Sequence, residues 1–241
     1  MRRFFAENTD TAGDTVSLTG GEARHIRSVL RMKAGDEVLL INGEGTECLS
    51  QIVSITDEEV VLRITDRRFC SADPEIKITL FQALPKQGKM ELIIQKCVEL
   101  GVSEIVPLVT RRCVVKLEGK DNKIVRWNKV SQEASKQCGR ASIAKVASPV
   151  SIDKIDLSPF DLRLIAYENE DELTLKRALK ENSSAKSIAL IIGPEGGFEP
   201  AEVEGIIERG GMAVSLGRRI LRTETAGMAA IAQITYELEQ E

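Results

Sequence analysis

The stretch that decides the fold is Ser187-Ile188-Ala189-Leu190-Ile191-Ile192, which runs into Gly193-Pro194-Glu195-Gly196-Gly197-Phe198. A nearly unbroken apolar run without alternation reads as a strand buried on both faces, the kind found inside a parallel sheet. The glycines end that strand. Residues 200–209 then read as a helix with proline in its first turn. Toward the C-terminus, 213–216 is a strand and 224–239 a closing helix. Working back, 76–83, 104–109 and 162–167 read as strands. Residues 90–100, 123–138 and 172–181 read as helices, and Gly101 supplies a left-handed stop for the first. Alternating strands and helices predict an α/β domain whose parallel sheet is covered on both faces.

The N-terminal segment reads differently. Residues 36–41 form an apolar run that ends in the turn signal Asn42-Gly43-Glu44-Gly45. Residues 46–55 alternate, and Val60, Val61, Leu62 and Ile64 mark a third strand. A helical patch over 21–31 precedes them. This predicts a small β-sheet or barrel. The mixed charge and proline of 67–74 mark a domain boundary, giving domains 1–71 and 72–241.

Composition removes several function classes. The chain has 241 residues, 33 basic and 37 acidic, with one His and a net charge of −4. A single His forbids a multi-His metal site or an H-E-x-x-H helix, so no metal is expected. No apolar run approaches the ~20 residues that span a bilayer. Met1-Arg2-Arg3-Phe4-Phe5 lacks the apolar core of a signal peptide, so a cytoplasmic protein is expected. Cys48, Cys70, Cys97, Cys113 and Cys138 are odd in number and irregularly spaced, which fits reduced, mostly buried thiols.

The mean charge conceals a polarity. Residues 1–71 carry 9 basic and 12 acidic residues, 72–145 carry 14 and 8, and 146–241 carry 10 and 17. A basic middle between acidic flanks is compatible with a phosphate-bearing partner. Arg24, Arg27, Arg31 and Lys33 cluster, and the first three would share one helix face at i, i+3 and i+7. One Trp, two Tyr and six Phe are few for a sheet that reads bases by stacking.

Ligands of open α/β sheets bind outside the carboxyl ends of the strands. Two strand ends carry unusual loops. In the glycine loop, 193–198, the backbone can take positive φ and come close to a ligand. It is neither a Walker A loop nor a G-x-G-x-x-G dinucleotide fingerprint; alone it reads equally as a tight structural turn. The second loop is Leu216-Gly217-Arg218-Arg219-Ile220-Leu221-Arg222-Thr223-Glu224-Thr225-Ala226. Thr223 or Thr225 stands where a hydroxyl caps the following helix. Three arginines beside apolar Ile220 and Leu221 suit a pocket with an apolar floor and a charged mouth, as a nucleoside-containing ligand needs. A basic surface loop is the plain alternative.

A third constellation is Gln132-Glu133-Ala134-Ser135-Lys136-Gln137-Cys138-Gly139-Arg140. Cys138 lacks a base, because the only His lies in the other domain, which argues against a catalytic thiol. Gln137 and Arg140 fit RNA or dimer contacts, or simply a solvated helix end. His25, beside Arg24 and Arg27, reads as a hydrogen-bonding group or an RNA contact.

These motifs, in this order and over essentially the whole chain, resemble the 16S ribosomal RNA (uracil-N3)-methyltransferases, the RsmE family of the SPOUT superfamily. The resemblance is carried by His25-Ile26 through Val29-Leu30-Arg31 with Gly35-Asp36, and by Lys86, Lys89, Glu91, Gln95-Lys96 and Glu99-Leu100-Gly101-Val102. Glu133-Ala134 with Gln137 and Arg140 adds a third block. The glycine and arginine loops, at their mutual spacing, are the most specific part. The resemblance implies a PUA-like RNA-binding β-barrel over 1–71. Over 72–241 it implies a SPOUT-type parallel sheet with a deep C-terminal trefoil knot, a rare exception among protein chains. It implies S-adenosylmethionine as cofactor, held by Tyr167, Gly193, Glu195, Gly196, Leu216, Gly217, Ile220, Leu221, Thr223, Thr225 and Ala226. It implies a homodimer whose substrate is one uridine in the decoding region of 16S rRNA, in the small ribosomal subunit, methylated at N3.

On that resemblance the methyl donor already carries a sulfonium charge. The protein must align N3 with the methyl group and manage the N3 proton. Negative charge then spreads onto the flanking carbonyl oxygens, and a cation aimed there stabilises the transition state. Arg222 is the first candidate and Arg140 of the partner subunit the second. Glu224 or Glu195 accepts the proton, or else holds its loop. Arg24, His25, Arg27 and Arg31 are expected to contact RNA, chiefly at phosphates. The alternatives are an RNA-binding protein without catalysis, or a SPOUT methyltransferase acting on another RNA. A nicotinamide dehydrogenase is disfavoured by the missing fingerprint.

Overall fold

The structure, a computed structural model, describes residues 1–6, 9, 15–86, 88–114 and 120–239. It divides into two compact units, Met1–Asp73 with Ser135–Ile143, and Pro74–Ala134 with Ala144–Glu241.

The first unit is built on β1 (Arg3–Phe5), β2 (Thr15–Thr19), α1 (Gly20–Arg24), β3 (Glu37–Ile41), β4 (Thr46–Ile55) and β5 (Glu59–Phe69). The strands form one sheet in the order β1-β3-β4-β5-β2. β1 runs parallel to β3 and the other neighbours are antiparallel. β4 shifts register against β5 at Leu49/Ser50 and again at Ile52/Ser54. Such bulges bend a strand and increase its twist, and the curled sheet encloses Phe4, Leu18, Val38, Leu40, Ile52 and Leu62. The turn before β4 closes as its composition requires. The Asn42 carboxamide oxygen accepts the N–H groups of Glu44 and Thr46, at 2.8 and 3.0 Å.

Three features of this unit depart from the sequence expectation. β1 and β2 were not foreseen. β1 is only three residues and exists because β3 supplies its ladder. Arg67–Phe69 is not linker: those residues continue β5 and pair with Cys48, Glu47 and Thr46. Their charge reads as a linker, but Glu47 accepts from Arg68 Nε at 2.6 Å and from Arg3 Nη1 at 3.1 Å. Third, the helical patch is not one helix. After α1, residues His25–Val29 widen into a π-type turn, with the Leu30 N–H donating to the His25 carbonyl at 2.9 Å. Arg31 then takes a left-handed φ of 53°. A π turn changes the residue count per turn, so the face expected to unite Arg24, Arg27 and Arg31 does not form.

The returning segment Ser135–Ile143 belongs to the same unit. The Asp73 carboxylate accepts the N–H groups of Ala141 and Ser142 at 3.1 and 3.0 Å, and the Ser142 hydroxyl at 2.8 Å.

The second unit contains β6 (Lys77–Ala83), α2 (Lys89–Glu99), β7 (Glu104–Val109), α3 (Lys120–Cys138), whose last turn enters the first unit, β8 (Lys145–Val146), β9 (Val150–Ser151), β10 (Leu162–Ala166), α4 (Leu175–Glu181), β11 (Ser187–Ile192), α5 (Pro200–Ile207), β12 (Met212–Val214) and α6 (Thr223–Leu238). The sheet order is β12-β10-β11-β6-β7-β8, with β9 also on β7, and every pairing is parallel. This is the α/β parallel sheet expected. β11 lies inside it, and Ile188 through Ile191 are wholly buried. The two-residue strands β8 and β9 were not legible, being too short to show a period.

The helices form for local reasons. α2 buries Met90, Ile93, Ile94, Cys97 and Val98, a helical-period stripe, and Gly101 beyond it has φ 102°. α5 starts with Pro200 and a reciprocal box in which Glu199 and Glu202 satisfy each other's backbone N–H groups. Because β6, β10, β11 and β12 are parallel, their following loops emerge at one edge of the sheet.

Candidate active site

The loops after β10, β11 and β12, with Lys89 of α2, border a cleft of about 880 Å³. That lies within the usual size of a small-ligand site.

The glycine loop is held from several sides. The Gly197 N–H donates to the Pro194 carbonyl at 3.0 Å, with Gly197 at φ 68°. Phe198 folds back under the loop, only 2% exposed; a Cβ on Gly193 would stand 2.9 Å from its ring. Glu195 accepts the Lys86 N–H at 2.9 Å through Oε1. Arg112 donates to the Gly196 carbonyl at 2.8 Å and to Glu199 at 2.7 Å. The Arg112 guanidinium beside Glu199 holds that carboxyl below its usual range. The Arg111 N–H donates to Glu202 Oε1 at 2.8 Å.

The arginine loop meets this framework at Thr223. Neither Thr223 nor Thr225 caps α6, contrary to the sequence expectation. Arg222 is the N-cap, in extended backbone, and no side chain caps the helix. The helix starts at Thr223 itself, one residue too late for its hydroxyl to cap. Thr223 is 5% exposed, and its hydroxyl does something else: it donates to the Gly193 carbonyl at 2.6 Å and accepts from Gln82 Nε2 at 2.9 Å. One buried hydroxyl thus joins the end of β6, the glycine loop and the start of α6.

Next along α6, Glu224 Oε1 accepts Lys89 Nζ at 2.9 Å. The Lys89 ammonium and then a backbone N–H hold the Glu224 carboxyl below its usual range. Glu224 Oε2 is buried with no hydrogen-bond partner among the described residues.

Of the residues expected to hold a cofactor, all but Thr225 line this cleft, together with Arg222 and Glu224. Thr225 is exposed, and its N–H donates to the Arg222 carbonyl at 2.8 Å. Arg140 is elsewhere, in the first unit, 3% exposed. It donates to Ser142 Oγ at 3.2 Å and stands 3.8 Å from Asp73. Arg24, His25 and Arg31 are exposed in the first unit. Arg27 is engaged there, donating to the Thr56 carbonyl at 3.1 Å and to Asp57 at 3.0 Å. His25 lies edge-on to Phe4, ring centroids 5.9 Å apart.

Sequence reasoning missed Gln82, Lys89 and Arg112 as parts of the site. Gln82 had a signal, as a lone amide in an apolar strand. Lys89 was one of the residues that carried the resemblance but had no role. Arg112 showed only as half of an Arg-Arg pair, since its targets, the Gly196 carbonyl and Glu199, lie 84 and 87 positions away. Among the described residues no disulfide joins any of the five cysteines, and burial pushes the Cys97 thiol up to about 12. Among the described residues no group of His, Cys, Asp or Glu is placed to hold a metal, and no helix is long and apolar enough to cross a membrane.

A parallel sheet with this cleft at its carboxyl edge, in a chain that also carries a separate curled β unit, defines an RNA methyltransferase once the family matches are added. Residues 72–235 match the RNA methyltransferase domain and 18–65 the RNA methyltransferase PUA domain. The chain is 34% identical to ribosomal RNA small subunit methyltransferase E of Bacillus subtilis, over 99% of this chain and 98% of that one. Against the Synechocystis enzyme of the same name it is 33% identical, over 93% and 74%. The crystal structure of ribosomal RNA small subunit methyltransferase E from Neisseria gonorrhoeae bound to S-adenosylmethionine has a TM-score of 0.86 at 29% identity, covering 98% of this chain and 97% of that one. A Legionella pneumophila methyltransferase with bound S-adenosylmethionine gives 0.83 at 32%, covering 97% and 96%. The chain belongs to the ribosomal RNA small subunit methyltransferase E family.

Proposed function

We propose that this enzyme transfers the methyl group of S-adenosylmethionine to N3 of one uridine in the decoding region of 16S rRNA, acting on the small ribosomal subunit in the cytoplasm as a homodimer. The observation that carries it is the convergence of the glycine loop, the arginine loop and the Lys89–Glu224 pair on one cleft. Family membership supports the reaction class, and the Neisseria and Legionella relatives with bound S-adenosylmethionine support the cofactor.

The residues present fit that cofactor. The cleft combines bare glycine backbone, where a Cβ on Gly193 would stand 2.9 Å from the Phe198 ring, with the apolar side chains of Leu216, Leu221 and Ala226. Gly193, Gly196 and Gly217 would approach it through their backbone, with Tyr167, Glu195 and Ile220 beside them. Thr223 acts indirectly by fixing the Gly193 carbonyl. When bound, the cofactor supplies an electrophilic methyl group on a sulfonium centre.

Arg222, exposed at the mouth of the cleft, stabilises negative charge on the uracil carbonyl oxygens as N3 reacts. Glu224 takes the N3 proton, whereas Glu195 serves the loop through Lys86. Arg140 shapes residues 139–142 and so acts on RNA or dimer contacts rather than on the reacting atoms. Arg24, His25 and Arg31 contact RNA from the PUA-like unit. The C-terminal region forms a deep trefoil knot. In support, α6 follows the edge strand β12 yet packs on the inner strands β6 and β11, with Thr223 buried between Gln82 and Gly193.

The test uses small ribosomal subunits from cells lacking this gene, incubated with the protein and methyl-labelled S-adenosylmethionine. Label recovered as N3-methyluridine from 16S rRNA is expected. Label in any other nucleoside overturns the site, and absence of cofactor binding overturns the cofactor. Sedimentation of the pure protein as a monomer would overturn the homodimer.

A further inference from the structure

Lys89 sits where a cation is locally unfavourable. It opens α2 immediately after Gly88, whose φ is 66°, and the N-terminal end of a helix repels positive charge. Its ammonium nevertheless reaches Glu224 Oε1 at 2.9 Å, and both side chains line the cleft. Glu224 lies in the first turn of α6, where the dipole favours a carboxylate. The Lys89 and Glu224 side chains are 31% and 14% exposed, so the pair is screened less than a surface pair. The second oxygen, Oε2, is buried and has no partner among the described residues. A buried acceptor on a charged group is costly to leave unmade, so an arrangement that pins Oε1 and leaves Oε2 without a donor, on a residue bordering the ligand cleft, is suited to a donor that arrives with the ligand.

We propose that Lys89 is a positioning residue for methyl transfer: it fixes Glu224 as an anion through Oε1 so that Oε2 receives the proton of the nitrogen being methylated. This rests on the cleft being the uridine N3-methylation site. The atoms balance simply. The N3–H bond breaks as the N3–C bond forms, the proton passes to Glu224 Oε2 and from there to solvent, and the electron pair of the broken methyl–sulfur bond stays with the donor. A carboxylate is a weak base toward a resting imide. Arg222 offsets this by stabilising the negative charge that spreads onto the carbonyl oxygens as the proton leaves, so that an aligned anion suffices while the N3–C bond forms. The charged groups that act on Glu224 are Lys89 from α2 and Arg222 from the loop that opens α6; both favour its ionised form.

Lys89→Met, Lys89→Arg and Glu224→Gln would be compared with wild type in the full-length protein on small ribosomal subunits. Cofactor affinity is read by calorimetry, and turnover is read from pH 4 to 9. Loss of the ammonium should let the Glu224 pKa rise. The acid limb of the Lys89→Met profile should therefore move to higher pH, with kcat down at least about tenfold and cofactor Kd within about twofold. Lys89→Arg should recover most of the turnover and return the limb toward wild type. Glu224→Gln should lose about 10²–10⁴-fold in kcat, as removal of a general base does. A wild-type profile and kcat in Lys89→Met would overturn the inference. So would a defect confined to cofactor Kd, which would make the pair part of the cofactor site. A wild-type product other than N3-methyluridine would overturn the uridine assignment instead, since the pH shift is read on whichever atom is methylated.

Discussion

At the residue scale, the chemistry depends on a few side chains whose neighbours fix their roles. Arg222 is exposed and caps α6 only with its backbone, so its guanidinium is available to a ligand. Arg222→Ala should lower kcat by about 10²–10³, the usual effect of removing one charge-stabilising donor, with cofactor Kd within about twofold. Separate calorimetry and single-turnover measurements check this. Thr223 is the opposite case, buried and structural. Thr223→Val strips the Gly193 carbonyl of its donor and Gln82 of an acceptor, which should cost about 1–3 kcal/mol in urea unfolding. It should also weaken cofactor binding, and Thr223→Ser should restore most of both. The sequence offers Thr223 as a helix cap, whereas its hydroxyl joins Gln82 to Gly193. Its partners, Gln82 and Gly193, lie 141 and 30 positions away, and no local pattern encodes such a pairing.

At the element scale, the π turn of the first unit decides which arginines face outward. Arg27 is held by the Thr56 carbonyl and by Asp57, whereas Arg31 stands exposed in a left-handed backbone. For a residue with a Cβ that conformation costs about 1–2 kcal/mol. Arg31→Gly should therefore raise stability by about 0.5–1 kcal/mol, the relief being partly offset by glycine's greater freedom when unfolded. It should also weaken binding to small subunits and flatten the salt dependence of that binding by about one ion. Arg27→Ala should behave differently, because its ion pair is with a fully exposed Asp57. Its stability cost should be under about 1 kcal/mol, and its effect on RNA affinity smaller than that of Arg31. Equal effects at both positions in a salt titration would contradict this division. Residues 21–31 read as one helix, but the chain is α-helical only through Arg24. Burial of Ile26, wholly inaccessible to solvent, accompanies the widening of the next turn.

At the scale of the whole molecule, paired carboxylates set the acid limit of stability. Burial pushes the Glu47 carboxyl up, but Arg68 and Arg3 outweigh it and the net shift is down. Asp161, fed by the Lys186 and Ser187 N–H groups, is also held below its usual range, as are Glu199 and Glu224. Groups depressed in the folded state stabilise it fully above their unfolded values. That contribution is lost as pH falls through the folded values. The melting temperature should be nearly flat from pH 7 to about 5 and fall steeply below about pH 4. Scanning calorimetry across that range checks it, and a melting temperature that rose on acidification would contradict it.

The parallel sheet, the order of its helices and the two chemistry-bearing loops were legible because each rests on a local cause: an unbroken apolar run for a strand buried on both faces, a helical stripe, a proline at a helix start, a glycine at a stop. Residues 46–55, 104–109 and 187–192 were read with the bounds the strands have. What the tertiary structure alone decided is long-range pairing: the parallel ladder that creates β1, the extension of β5 through Arg68 and Glu47, the return of Ser135–Ile143 onto Asp73, and the reach of Lys89 to Glu224. Backbone conformation is set by sterics between neighbours and so is written in short stretches. Which distant polar groups meet depends on how the elements pack, and that geometry exists only once the core has closed around it.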